Sequence, residues 1–260
     1  MAKKWAPVRI GNTINKVRIV FNYAFKNGLI DRPTVYGEGF RRPSKKALRK
    51  HRQTQGPRMF EAHEIRAMLD GATLPLRAML LLGVQAGFGN SDLGNLPLAA
   101  LDLEKGFINY PRAKTAIERR VPLWDETVQA LREWLEVRPK PTNEENAGLV
   151  FLTAKGGCWA KSTSDNPVSK ETAKLLKKCG INGHRNFYAL RHTFQTIGDE
   201  SCDFLAVCRI MGHASNDIAD AYRERVSDER LQKVVQHVRA WLFTVEEAPD
   251  VLPMSQNQVG

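Results

Sequence analysis

The chain is poor in the residues that would make it a disulfide scaffold, a zinc module or a membrane protein. Its 260 residues hold four cysteines, Cys158, Cys179, Cys202 and Cys208. None are paired as CxxC and no histidine pattern accompanies them, so neither a disulfide framework nor a zinc site is expected, and a reducing compartment is the default. No apolar run approaches the roughly 20 residues that cross a bilayer, so no membrane association is expected. The opening MAKKWAPVRIGN has no apolar stretch of a secretion signal. These absences predict a soluble, cytoplasmic protein. Acid is also in deficit: 28 Asp and Glu stand against 39 Lys and Arg, a formal net charge of +11. At 42% hydrophobic residues the chain is globular, which places the excess charge on a folded surface. The usual partner of such a surface is nucleic acid.

The apolar spacing predicts a mainly α fold with one small antiparallel sheet. Ile14, Val17, Val20, Phe21, Ala24 and Phe25 recur at helical intervals over residues 10–29, ending at Asn27-Gly28. Phe40 to Pro57 is dominated by Lys and Arg and reads as a solvated linker that could track phosphates, with Arg41, Arg42, Lys45, Lys46, Arg49 and Lys50 as DNA contacts. A helix opens after Phe60, and Pro75 starts a very apolar one that stops at Gly87. Asn90 to Asp92 resembles a cap before Leu93. Short strands are expected at 101–103, 107–110, 119–123 and 149–152. Between the last two, a helix begins at Asp125 with Val128, Leu131 and Leu135 on one side. The remainder reads as helix.

Three groups near the end of the body could act on a phosphate. Leu190, Phe194 and Ile197 form the apolar stripe of a helix beginning near Tyr188, which turns Arg191 away from that stripe and leaves it in the first turn, where an anion is favoured. The next helix stops at Gly212 and His213 follows at once. Asn216 or Asp217 would cap a further helix carrying Ile218 and Tyr222. Taken singly, each is more often a surface arginine, a capping histidine and a half-buried tyrosine.

Their order and spacing are another matter. Ala189-Leu-Arg191-His192-Thr-Phe194, then Ile210-Met-Gly212-His213, then Tyr222 nine positions on, resemble the tyrosine recombinase (phage integrase) family. Tyr110-Pro-Arg112-Ala-Lys114-Thr115, followed by Arg120-Val-Pro-Leu123, is similar to the family's lysine-bearing hairpin. Ala86-Gly87-Phe88, Ser91-Asp92 and Asn95-Leu96 match the junction that holds its first catalytic arginine. The resemblance covers roughly residues 58–241. It implies that Tyr222 attacks a DNA phosphate to give a 3′-phosphotyrosyl link and a free 5′-hydroxyl, with no cofactor, metal or ATP. Arg191 and His213 would stabilise the phosphorane oxygens, Lys114 would protonate the departing oxygen, and Arg112 would contact DNA.

Two positions depart from the family pattern. Gly89 stands where the first arginine belongs, and Tyr188 stands where a histidine is usual. Either another arginine, Arg185 or Arg112, fills the vacancy, or the chain is an inactive relative that still binds DNA. The resemblance further implies a domain plan: residues 1–45 as the remnant of a helical core-binding domain whose remainder lies upstream, 46–58 as a basic linker, 59–245 as the catalytic domain, and 246–260 as a disordered tail. Double-stranded DNA is the implied partner, bound in the nucleoid. Residues 229–243 form an amphipathic helix that would pack on its own domain or dock on a neighbouring protomer of a homo-tetramer.

Overall fold

The helical periodicities become eleven α-helices and a three-stranded sheet in the computed structural model, which describes residues 5–160, 166–213, 222 and 224–244. The chain divides into two compact units, Met1–Pro57 and Arg58–Gly260. In the first, α1 (Pro7–Lys26) starts with a proline in its first turn, where the missing N–H costs nothing. Only Gly11 and Ile14 of it are buried, and Ile19, Val20, Phe21, Tyr23 and Phe25 are exposed. The expected apolar stripe is therefore largely uncovered. The basic run read as a solvated linker contains a helix, α2 (Lys45–Gln53), because Ser44 Oγ accepts the Ala47 N–H and caps it. None of its residues is buried, and Arg41, Arg42, Lys45, Lys46, Arg49 and Lys50 all face solvent.

The second unit is built around α4 (Leu74–Ala86), whose residues from Ala78 to Ala86 are all buried. A helix apolar on every side belongs in the middle of a core. Around it lie α3 (Ala62–Gly71), α5 (Asn90–Gly94), α6 (Asp125–Glu136), α7 (Glu144–Ala147), α8 (Pro167–Lys178), α9 (Ala189–Asp199), α10 (Phe204–Met211) and α11 (Asp228–Phe243). Strands β1 (Leu101–Asp102), β2 (Phe107–Asn109) and β3 (Arg120–Pro122) form an antiparallel sheet in that order, with Phe107 opposite Pro122. Gly83 lets α9 close on α4: a Cβ there would lie 2.8 Å from Leu190 Cδ1. Gln85, buried on α4, donates to Pro122 O at 2.6 Å and accepts from Thr127 Oγ1 at 2.6 Å, joining α4 to β3 and α6. Its polar atoms are thus satisfied inside the core.

Several expectations shift. The cap of α5 is Gly89, whose N–H donates to Asp92 Oδ2 at 2.8 Å, one residue before the Asn90 start that was expected. α6 buries Thr127, Ala130, Leu131 and Trp134, and of the expected stripe Leu131 is buried and Leu135 packs partly buried against the same core. Trp134 is the largest side chain on that face, and Trp124, the residue before the helix, is buried as well. In place of a strand at 149–152 there are isolated bridges, Pro97 to Leu149 and Leu152 to Cys158. Leu149 O is occupied by the Arg138 guanidinium (Nη2, 2.7 Å). α11 sinks Leu231, Val234, Val235, Val238 and Leu242 into its own unit, so its apolar stripe is not free for a neighbouring protomer. The helix expected after Asn216 and the tail 246–260 lie outside the described residues. Among the described residues no helix is long and apolar enough to cross a membrane.

Trp124 fastens α11: its Nε1 donates to Val235 O at 2.8 Å and its ring meets Phe243 edge-on. Trp124→Ala is expected to lower unfolding free energy by about 3–5 kcal/mol, and Trp124→Phe, which keeps most of the ring, by clearly less. Urea denaturation of both variants checks the order.

Candidate active site

Arg191 lies in the first turn of α9, as its spacing predicted, but it does not face solvent. It is 4% exposed, because the ends of α4 and α10 close over it. Nη1 donates to Gly87 O at 2.5 Å and Nη2 to Met211 O at 3.0 Å. These are the carbonyl ends of two helices, each stopped by a glycine in the left-handed region, Gly87 and Gly212, both with φ 64°. Helix carboxyl ends carry partial negative charge, which suits a buried guanidinium. A Cβ on Gly87 would stand 3.2 Å from Arg191 Cγ, so that stop also gives the side chain room. Among the described residues no carboxylate comes within 4.0 Å of Arg191. Its charge is cushioned by dipoles and left uncancelled.

His213 completes the arrangement. Its Nε2 lies 2.7 Å from Arg191 Nη2. A guanidinium can only donate, so this nitrogen accepts, and the proton is assigned to Nδ1. Burial, then the charges of Arg191 and Arg112, lower the His213 pKa from 6.5 to about 4, so the ring is neutral at neutral pH. Burial and the neighbouring Arg112 likewise lower Arg191, to about 10, and it stays charged. Together they present one strong cation and one neutral donor, with two further guanidinium N–H groups of Arg191 having no acceptor among the described residues. Such a set of donors can hold a tetrahedral anion.

The remaining predicted residues gather unevenly. Lys114 is exposed in the turn of the hairpin leading into β3, and that turn rests on Gly212: Thr115 Oγ1 donates to Gly212 O at 2.9 Å and Arg112 Nη1 at 3.4 Å. Lys114 is thus brought to the residue beside His213. Tyr188 is the N-cap of α9 and sets its ring edge against His192, 5.4 Å between centroids. Tyr222 is 84% exposed; residues 214–221 before it lie outside the described residues. Arg185, one of the two arginines expected to serve for Gly89, is committed elsewhere: it forms a two-pronged pair with Glu64 (2.5 and 2.7 Å) and donates to Met59 O. Arg112, the other, reaches Gly212.

An arginine that the motif reading passed over is linked to position 89 through Asp92. Arg119 is 1% exposed, paired with Asp92 at 3.0 Å and stacked on Phe88. The signal was alternation: Val121 points inward from β3, so Arg119 two residues earlier does too, while Arg120 between them turns out to Asp228.

The depressed His213 pKa has a consequence for stability. Unfolding lets the imidazole take a proton that the folded site refuses, so its contribution is complete above pH 6.5 and is lost as pH falls toward about 4. His213→Asn is therefore expected to flatten the dependence of the urea midpoint on pH across that window. A slope unchanged by the substitution would contradict the assignment.

Known proteins share the sequence family and the fold. The model of the phage integrase family matches residues 51–229. Tyrosine recombinase XerC of Proteus mirabilis is 33% identical over 147 residues, which make up 56% of this chain and 46% of that protein. The chain thus spans about half the length of the curated relatives it matches. The Tn1549 transposon integrase, solved in complex with circular intermediate DNA, aligns at a TM-score of 0.60 and 16% identity over 89% of this chain and 79% of that one. A lambda integrase dimer bound to a COC′ core site aligns at 0.58 and 15% over 84% and 75%. These two share the mainly helical fold with its small antiparallel sheet. The chain belongs to the phage integrase family, the tyrosine recombinases.

Proposed function

We propose that the protein cleaves and rejoins double-stranded DNA through a 3′-phosphotyrosyl intermediate. The observation that carries this reading is the buried Arg191 charge, uncancelled by carboxylate among the described residues and joined to a neutral histidine. In the reaction, Tyr222 Oη bonds to phosphorus as its phenolic proton passes to water. The bond from phosphorus to the 5′-oxygen breaks, and Lys114 protonates that oxygen. Arg191 and the His213 Nδ1–H hold the non-bridging oxygens, where charge builds in the transition state. A phenol, with an ordinary pKa of about 10, is a weak nucleophile at neutral pH, so these fixed donors carry much of the rate. Tyr188 adds a hydroxyl in the histidine's usual place. The phosphotyrosine keeps the energy of the broken ester, so rejoining is the same step reversed.

Residues 1–45 serve in this reading as part of a helical core-binding domain, residues 46–58 as a basic connector that tracks phosphates, and 59–245 as the catalytic domain. Assembly of four copies on two DNA sites would use the outward face of α11, since its apolar stripe belongs to its own core. Action on DNA places the protein in the cytoplasm, at the nucleoid. A second reading, a DNA-binding relative that no longer cuts, is favoured by one observation: Gly89 has no side chain to offer a phosphate.

A nicked suicide duplex, selected by the protein from a randomised pool, separates the two. Wild type is expected to form a covalent adduct, Tyr222→Phe none, and Arg191→Ala less by about 10²- to 10³-fold; wild type bound without adduct is the result for the silent relative. Replacing Arg41, Arg42, Lys45, Lys46, Arg49 and Lys50 with Gln is expected to weaken binding to any duplex. The slope of log affinity against log salt should fall by about 0.9 for each phosphate contact removed. An unaltered slope would remove α2 and its approach from the DNA interface.

A further inference from the structure

Position 89 has no backbone need for glycine. Its φ is −96°, which any residue adopts, and a Cβ there would meet only Asp92 Oδ2 at 3.5 Å. What stands beside it is a cation. The Asp92 carboxylate is shared, Oδ2 accepting the Gly89 N–H at 2.8 Å and Oδ1 accepting Arg119 Nη2 at 3.0 Å. The Arg119 guanidinium is held over the Phe88 ring at 4.4 Å from its centroid, and Nε donates to Tyr110 O at 2.9 Å.

Two further facts make this more than a buried ion pair. Nη1 of Arg119 is buried and has no acceptor among the described residues, and a buried donor left unmade at a charged group is costly enough to need an explanation. Arg119 also packs against the residue that follows each carbonyl held by Arg191. It lies on Phe88, after Gly87, and a Cβ on Gly212, after Met211, would stand 2.9 Å from its Cδ. The two guanidinium groups therefore share the helix ends that frame the pocket.

We propose that Arg119 supplies the second guanidinium of the phosphate site, doing from the residue before β3 what a side chain at position 89 would otherwise do. Its Nη1–H is the donor for a non-bridging phosphate oxygen. This inference rests on the reading of the Arg191 and His213 pocket as a phosphate site, and it holds whether or not the bound ester is cut.

The test is a titration with inorganic phosphate, followed at the His213 ring by NMR in the intact chain. Arg119→Met combined with Asp92→Asn removes the donor without stranding a carboxylate, and is expected to weaken phosphate by about tenfold, the loss of one charge-assisted hydrogen bond. Adding Gly89→Arg to that pair is expected to restore most of the affinity, which repair of packing alone would not do. Arg119→Lys, which keeps the charge and stem, serves if the double variant does not fold, with a smaller loss expected. Equal affinity in wild type and variant, or no response of His213 to phosphate in wild type, overturns the proposal. Adduct formation is measured separately on the suicide duplex: its absence with a normal phosphate titration would remove the cleavage reading and leave the role of Arg119 intact.

Discussion

A guanidinium buried beneath the ends of two helices, with no carboxylate within ion-pair distance among the described residues, is the constraint around which this domain is arranged. Burying a lone charge is prohibitive unless fixed dipoles replace the water it loses. Here the carbonyl ends of α4 and α10 do so, through Gly87 O and Met211 O. That requirement fixes where both helices stop and makes both stops glycine: each stop has left-handed backbone, and a side chain there would crowd Arg191 or Arg119. It also fixes the depth of α9, whose Leu190 and Phe194 sink into the core while Arg191 fills the gap between two helix ends.

The electrostatics follow from the same placement. With Arg191 and Arg112 close by, His213 cannot hold a proton at neutral pH and acts as a neutral partner, its Nε2 accepting from Arg191. The hairpin bearing Lys114 is drawn to Gly212, so an exposed cation is stationed near a buried one. An entering phosphate would supply the negative charge that the pocket lacks. In doing so it would raise the His213 pKa, which couples anion binding to proton uptake.

Much of this was legible in the sequence, for reasons that can be named. Helix stops at Gly87 and Gly212 announce themselves because only glycine takes that backbone cheaply. The order of Arg191, His213 and Tyr222 was readable because chemistry fixes residue type and spacing together. The burial of Arg191 was not, since the stripe of α9 places it off the core face and only the distant ends of α4 and α10 cover it. The pairing of Asp92 with Arg119 spans 27 residues and leaves no local periodicity beyond strand alternation. α2 was missed because a run of Lys and Arg has no apolar period, and one serine cap decided its start.

The central claim is that the Arg191 pocket is a seat for a tetrahedral oxyanion. A crystal structure of the protein soaked with sulfate tests it most directly. A sulfate with oxygens within hydrogen-bonding distance of Arg191 and His213 is expected. Sulfate bound only along the exposed lysines and arginines of α2, with nothing at Arg191, would contradict it.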